Sequence, residues 1–313
     1  MSQIKTTKIK QKMNEKLTFS GHETFHCRTF WLKKGFDFIS NLEKKNSFKD
    51  EEKAVVELGV GKNMVSSIRF WMKAFGVTDN NDDVIEESAS ALILDEYDPY
   101  LEDPASLWIL HHELVRTGRA SLYNLFFNQF RKERAEFTKE QLLRFIKRVC
   151  IENGQDYEPM ENTINTDVNI FIRTYNRPLN INKNIEDEFS SILIDLNLLK
   201  VIRTLDDDKS IINYSIESSD RDEIPWQVIL YSILTFSDEK LISFNDLMVK
   251  PNSPGLIFAM TASGLMKKIA EIESNVKGIV FIDDNGIREL QINKKLSNKN
   301  LSKEQLTNYY KSA

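Results

Sequence analysis

The side chains best suited to chemistry lie in the stretch HETFH at residues 22–26, which matches the pattern H-E-x-x-H. On a helix, His22 and His26 would share one face and bind zinc, with Glu23 as the general base of a hydrolase. Ser20 offers a different interpretation, because Ser20-x-x-Glu23 is a capping box that begins a helix and engages the glutamate. We therefore predict a helix over about 21–34 and no bound metal. A zinc-dependent hydrolase through His22, Glu23 and His26 remains as the second alternative.

A basic helix follows a glycine turn further along the chain. Acidic residues begin a first helix near Asp50, and the tripeptide Gly59-Val60-Gly61 interrupts it. Apolar residues then recur at helical spacing from Met64 to Phe75. This order of helix, short turn and amphipathic helix predicts a helix-turn-helix, which places its second helix against DNA.

The polar face of that second helix supplies the predicted DNA contacts. Its basic side chains would neutralise phosphates, and its small polar side chains would reach base edges or the backbone. Arg28 would support this interface together with the Lys-rich N-terminus, and we expect His22 and Arg28 to brace its base. The alternative is a helical packing unit that contacts protein. The predicted DNA-binding residues are Lys62, Asn63, Ser66, Ser67, Arg69, Lys73 and Arg28.

Charge is distributed in blocks along the chain, although the formal net charge is only −5. Residues 1–75 hold 15 Lys/Arg against 8 Asp/Glu, and residues 111–150 hold 9 against 4. Residues 76–110 hold no Lys or Arg against 10 Asp/Glu. Such blocks predict a local footprint for a polyanion and acidic surfaces elsewhere; unevenly charged solvated faces are the alternative.

Composition narrows the class of protein. Two cysteines, Cys27 and Cys150, make no disulfide framework and fit a reducing cytoplasm. Cys150 is expected to be packed in the core, and no nucleophilic role is expected for Cys27, because no catalytic relay is evident beside it. His111-His112-Glu113 is expected to lie at the surface or at the edge of the core. No apolar run is long enough to span a bilayer. We predict a cytoplasmic protein that uses no cofactor.

The element pattern predicts a mostly α fold, in which helix-turn-helix and winged-helix units with short β hairpins are joined by a helical middle. A hairpin is predicted around Asn285-Gly286, because this dipeptide favours the tight turn between two β-prone runs. The predicted organisation is a disordered basic arm (1–16), an N-terminal helix-turn-helix domain of winged-helix-like type (17–100), a helical middle domain (101–180) and a C-terminal winged-helix-like domain (181–313).

The motifs above also carry a resemblance. The stretch Phe19-x-Gly21-His22-Glu23-Thr24-Phe25, the residues Arg28 and Trp31-Leu32-x-Lys34-Gly35, and the segment ELGVGKNMV at 57–65 with Ile68, Arg69 and Trp71 resemble the domain of unknown function 4007 family. The resemblance is dense over roughly 19–77 and looser through the Asp103-Pro104 turn, Asp167-Val168 and Ser253-Pro254-Gly255. The family motif is G-H-E-T-F followed by a variable residue, so His26 is peculiar to this chain. His22, Glu23, Thr24 and Phe25 are therefore assigned as a motif of unknown role.

What this resemblance implies is binding and not catalysis. Members are typically encoded beside phosphoadenosine-phosphosulfate-reductase-like (PAPS-reductase-like) enzymes of DNA sulfur modification and related defence loci. The function expected is a non-catalytic DNA-binding accessory or regulatory protein of a phosphorothioation-type DNA modification or phage-defence system. The alternative is an adaptor that docks a PAPS-reductase-like sulfur-transfer enzyme. Double-stranded DNA is the expected partner, and a homodimer is a further alternative.

Overall fold

The computed structural model describes residues 16–41, 47–176, 191–206, 209–293 and 297–312, and most of this backbone is helical. The mostly α character that the sequence predicts is confirmed. The helix that begins at Ala89 continues into a π-helical turn at Ile93–Tyr97. The helix that begins at Ser121 continues through a π-helical turn at Phe126–Phe130 to a last turn at Arg131–Glu133. The helices are α1 (Trp31–Ser40), α2 (Glu51–Leu58), α3 (Lys62–Ala74), α4 (Ala89–Leu92), α5 (Pro104–Thr117), α6 (Ser121–Leu125), α7 (Lys139–Glu152), α8 (Glu161–Tyr175), α9 (Trp226–Phe236), α10 (Phe244–Val249), α11 (Pro254–Ile257), α12 (Ala262–Asn275) and α13 (Asn298–Ser312).

Local sequence explains several of the helix ends. Pro104 occupies the first turn of α5, where its missing N–H leaves no hydrogen bond unmade, and the Asp103 side chain accepts from the N–H of Ala105. Gly118 ends the same helix in the left-handed conformation. At the start of α7, Thr138 and Gln141 form a capping box.

The helix predicted over 21–34 is wrong in its first half. Gly21, Glu23 and Thr24 have positive φ angles of 110°, 49° and 72°, so the segment is a turn, and α1 begins only at Trp31. The left-handed backbone positions exclude an α-helix and with it the predicted Ser20–Glu23 capping box.

The two helices of the predicted helix-turn-helix are present. Asp50 caps α2 by accepting from the N–H of Lys53, and Gly59 ends the helix at φ +62°. Gly61 precedes α3, whose buried side includes Val65, Ile68 and Trp71. A left-handed glycine and one further turn residue thus redirect the chain between helices, as the sequence predicts.

The middle of the chain combines α5–α8 with a three-stranded antiparallel sheet. The strands are β1 (Glu136–Phe137), β2 (Lys200–Asp206) and β3 (Lys209–Ser215), in the order β1-β3-β2. Glu136 lies opposite Ser215, and Val201 lies opposite Tyr214. Because β1 pairs with β3, the predicted boundary at residue 180 separates strands that share one sheet.

The C-terminal part repeats this arrangement with α9–α12 and a second antiparallel sheet. Its strands are β4 (Leu241–Ser243), β5 (Ile279–Asp284) and β6 (Ile287–Ile292), in the order β4-β6-β5. Asp284 lies opposite Ile287 across the turn at Asn285-Gly286, both of which have positive φ. The predicted hairpin is therefore confirmed.

One continuous apolar core joins these parts. Helix α13 returns from the end of the chain, where Tyr310 stacks on Tyr97 (ring centroids 4.8 Å apart) and Tyr309 donates to Asp103. Cys27 and Cys150 are buried as free thiols. Within the described ranges, no helix is both long and apolar enough to cross a membrane. Apart from Lys16, the basic arm predicted for residues 1–16 lies outside the described residues.

Candidate nucleic-acid interface

The GHETF turn packs against α3. Gly21 lies beside the Phe70 ring, and a Cβ added at Gly21 would meet Phe70 Cδ2 at 2.6 Å. The indole Nε1 of Trp71 donates to the Phe25 carbonyl at 3.1 Å, and the Phe25 N–H donates to the His22 carbonyl at 2.8 Å. Both the positive φ and the close approach require glycine at position 21, so the motif is built as a turn that holds α3.

His22 connects this turn to two helices. Its ring stacks on Trp71 of α3 (6.0 Å, 19°), and its Nε2 bonds to the Asp167 carboxyl on α8. Burial raises the pKa of Asp167, and the contact with His22 opposes that effect. These contacts give His22 the position of a brace beneath α3. The Arg28 guanidinium instead lies over the rings of Trp31 (5.2 Å) and Phe25 (6.0 Å).

The HETFH stretch provides no metal-ligand set. His22 and His26 are both buried, whereas Glu23 and Thr24 are exposed on the turn. Over the residues that the structure describes, no group of three or more His, Cys, Asp and Glu side chains could hold a metal ion. His22 has its Nε2 committed to Asp167. A zinc hydrolase with the H-E-x-x-H pattern needs both histidines on one face of a helix, and here the segment is a turn.

The basic face of α3 is partly neutralised within the protein. Arg69 donates from Nε and Nη2 to the two carboxylate oxygens of Asp82 at 2.8 and 2.7 Å. Lys73 Nζ lies 2.7 Å from Asp82 and donates to the Asn80 carbonyl at 3.0 Å. Burial works to raise the pKa of Asp82, but hydrogen bonds from Arg69 and Lys73 outweigh it and hold the pKa below its usual value. The acidic segment after α3 thus folds back onto two of the predicted DNA-binding side chains.

The remaining predicted contacts lie at the first turns of α3. Lys62 and Asn63 are exposed, and Ser66 is half-buried. Lys62 pairs with Glu51 at 2.8 Å, but a pair this exposed contributes little energy and opens readily to a stronger partner. Ser67 is fully buried, which corrects its assignment to the DNA face. The surface of α3 that is open to DNA is therefore a short polar edge at its first turns, whereas the sequence predicts a whole helical face.

Helix α8 presents a polar face that the sequence analysis did not assign to binding. Asn162, Asn169 and Arg173 are exposed along it, while Asn165 is half-buried with its Nδ2 donating to the Glu161 carbonyl. In the described part of the chain Arg173 forms no ion pair. The apolar stripe of α8 was visible in the sequence, so its opposite face could have been found from the same periodicity.

A buried polar network joins the middle of the chain to α9. Glu113 accepts from Tyr231 Oη at 2.8 Å, from Arg116 Nη2 at 2.5 Å and from Arg116 Nε at 3.0 Å, and lies 3.0 Å from His112 Nδ1. Burial works to raise the pKa of Glu113, but His112 and Arg116 lower it to about 2. Arg116 and Tyr231 also line a cavity of about 760 Å³ between α3, α5, α9 and α13. His111-His112-Glu113 is thus fully buried, and not at the surface or the edge of the core as expected.

Two of three comparisons with known proteins found relatives of the chain. The sequence model of a family described as "Protein of unknown function (DUF4007)" matches residues 19–310. No curated protein matches the sequence. A solved structure described as "SspB crystal structure" is similar, with 25% identity and a TM-score of 0.77 over 96% of this chain and 90% of that one. Another, described as "Magnesium ion-bound SspB crystal structure", has 26% identity and a TM-score of 0.76 over 94% and 88%.

Proposed function

The chain belongs to the DUF4007 family, and we propose that it is a non-catalytic DNA-binding accessory or regulatory protein of a DNA modification or phage-defence system. The observation that carries the proposal is the exposed polar face of α8 at the position of a recognition helix. The resemblance of its motifs to a family encoded beside DNA sulfur-modification enzymes supports the same setting.

The order of elements supports winged-helix units as the architecture behind this function. In the middle of the chain, α6, β1, α7 and α8 precede the β2–β3 hairpin, and β1 pairs with β3. In the C-terminal part, α9, β4, α10–α12 and the β5–β6 hairpin follow the same order, and β4 pairs with β6. We assign both as winged-helix units, in which the last helix before the hairpin corresponds to the recognition helix of a helix-turn-helix.

Helix α8 holds that position in the middle unit, and its exposed side chains suit DNA. Asn162 and Asn169 carry amides, which pair with the N6 and N7 edge of adenine in the major groove. Arg173 supplies a charge for a phosphate or for a guanine edge. Lys62 and Asn63, at the start of α3, would add a second contact with the backbone.

The proposal is tested by fluorescence anisotropy with duplex DNA at 50 to 200 mM salt. The wild-type protein should bind, and its affinity should fall steeply with salt, as for other proteins that contact phosphates. Replacing both Asn162 and Asn169 by Ala should weaken binding to a preferred sequence by about 1–3 kcal/mol for each base that the amides no longer reach. The Asn275→Ala variant, which changes an exposed amide at the end of α12, serves as the control. Absence of binding at 50 mM salt would reject the proposal.

An adaptor remains the second candidate because of the surface that α4 and its flanking loops present. Glu86, Asp95 and Glu96 are exposed there, together with Ile85 and Tyr100, which are 40% and 64% exposed. The acidic side chains repel DNA and suit a basic protein partner, such as a PAPS-reductase-like sulfur-transfer enzyme, to which Ile85 and Tyr100 would add apolar contact. The anisotropy experiment separates the two candidates, because an adaptor would bind the enzyme and no DNA.

A further inference from the structure

Three arginines surround one shallow depression on the middle unit. Arg134 follows α6, and Arg144 and Arg148 lie one turn apart on α7; all three are exposed. Together with Glu133 they line a cavity of about 140 Å³, whose floor includes the buried rings of Phe130 and Phe145. The lining therefore carries three positive charges against one negative charge.

Two of these arginines have no acidic partner among the residues that the structure describes. Arg148 pairs with Glu133, lies 3.9 Å from Glu152 and stacks over the Phe145 ring at 5.3 Å, which fixes its guanidinium at the edge of the depression. Arg134 and Arg144 form no ion pair in the ranges that the structure describes. Glu140, one helical turn before Arg144, is the nearest acidic neighbour on α7, and Arg144 contributes to lowering its pKa after the larger effects of its hydrogen bonds.

We infer that this depression binds a phosphate of the nucleic-acid backbone, through Arg134 and Arg144 with Arg148 as the anchored third cation. Guanidinium groups form forked hydrogen bonds to phosphate oxygens. Two guanidiniums that have no ion pair in the described ranges converge on one small concavity, which suits a single tetrahedral anion. The inference rests on the proposed function and adds to it a further backbone contact, made by Arg134 after α6 and by α7 beside the predicted recognition helix.

The surrounding charge favours a polymeric phosphate over a single ion. Residues 111–150 hold 9 Lys/Arg against 4 Asp/Glu, and Lys132 and Lys147 are exposed on the same two helical segments. Several exposed cations near one site can neutralise successive phosphates of a strand and gain from the release of condensed counterions. A free phosphate would meet the same three arginines but would gain nothing from the cations around them.

The test compares wild-type protein with the Arg134→Gln/Arg144→Gln double variant, using duplex DNA and, separately, inorganic phosphate as probes. Both positions are exposed, so the fold should persist, which the thermal transition checks. DNA affinity at 100 mM salt should fall about tenfold, and the slope of log affinity against log salt should decrease by nearly two, about 0.9 for each phosphate that is no longer neutralised. The Lys277→Gln/Arg288→Gln double variant removes the same charge from exposed positions in the C-terminal unit and should leave both quantities unchanged.

Each outcome decides a different question. If wild type and the double variant bind DNA equally, the inference is overturned while the proposed function stands. If the protein binds no DNA but binds inorganic phosphate through Arg134 and Arg144, the ligand is a free anion and both the backbone assignment and the proposed function fail. Binding of neither probe overturns both.

Discussion

The middle and C-terminal units share an order of elements but differ in the surface of their last helix. Apart from Glu161 in its first turn, α8 exposes the amides of Asn162 and Asn169 and the guanidinium of Arg173, which has no acidic partner among the described residues. On α12 the corresponding cation, Lys267, is bonded to Asp220 at 2.6 Å and lies 3.4 Å from Asp222, and Glu273 is exposed on the same helix. A common topology thus presents a surface suited to a polyanion in one unit and a neutralised surface in the other.

The difference teaches that position in a fold does not by itself make a helix a recognition helix. Both helices precede a two-stranded hairpin, and both pack their apolar stripe into the shared core. Only the exposed side chains distinguish them, and these are decided by charge and hydrogen-bond partners. The contrast between the units can be tested at the junction that joins them and on each helix separately.

The largest expected effect is on stability, at the buried junction between α5 and α9. It tests whether the two units unfold independently. Glu113 on α5 accepts from Arg116 and from Tyr231 on α9, so the variant Glu113→Ala leaves the buried Tyr231 hydroxyl without its acceptor and the partly exposed Arg116 without its ion pair. We expect a loss of about 2–4 kcal/mol in the free energy of unfolding, measured in urea, from the unsatisfied hydroxyl and the space that the side chain leaves. Asp37→Ala, which breaks the exposed pair with Lys33, should cost less than about 1 kcal/mol.

The shape of the same transition tests the comparison. Because one core and one buried network join the units, a single urea transition should move to lower concentration in Glu113→Ala. Two separate transitions, of which only one shifts, would show that the two units unfold independently of each other.

A smaller loss of stability should appear as the pH falls, through His111, which contacts both units. His111 Nε2 lies 2.9 Å from the Ile257 carbonyl of α11, which can only accept, so Nε2 carries the proton and Nδ1 accepts from Tyr175 Oη of α8. Burial lowers the pKa of His111 to about 3, and the nearby positive groups add to that effect against the opposing bond to Ile257. The native ring therefore stays neutral at a pH where the unfolded ring, with its ordinary pKa of about 6.5, binds a proton.

The sign of the pH dependence follows from that difference. Between pH 6.5 and 3 the unfolded state binds more protons than the native state, so stability falls as pH falls, by about 1.4 kcal/mol per pH unit. From pH 7 to pH 5 the loss from His111 should be about 2 kcal/mol. The His111→Gln variant should start less stable at pH 7 but lose correspondingly less on acidification, as urea transitions at the two pH values measure. If both proteins lost the same stability between pH 7 and pH 5, the pKa of His111 would not differ between the folded and unfolded states.

Sequence reasoning reached local features better than contacts between distant segments. The Asn285-Gly286 hairpin, the Thr138–Gln141 capping box and the glycine break between α2 and α3 depend on neighbouring residues, and all three were predictable. The GHETF turn was mistaken for a helix start, because its conformation depends on Phe70 and Trp71 of α3 and on Asp167 of α8.

The candidate site shows the same limit. Arg69 and Lys73 have the types and spacing of DNA-binding residues, but Asp82 approaches them only after the chain turns back beyond α3. The excess of basic residues in 111–150 was visible in the composition, whereas the convergence of Arg134 with Arg144 required α6 and α7 to be packed together. Composition thus located the charge, and only the fold showed which charges have an acidic partner nearby.

The smallest expected effect compares one cation from each last helix. Arg173→Ala removes a charge from α8 that has no acidic partner among the described residues, so DNA affinity should fall a few-fold and the salt slope by about 0.9. Lys267→Ala removes a charge that Asp220 and Asp222 already neutralise, so affinity should change by less than about twofold. Anisotropy titrations of both variants at several salt concentrations measure the two slopes. If Lys267→Ala weakened binding as much as Arg173→Ala, the C-terminal unit would share the DNA contact, and the distinction drawn from charge partners would not hold.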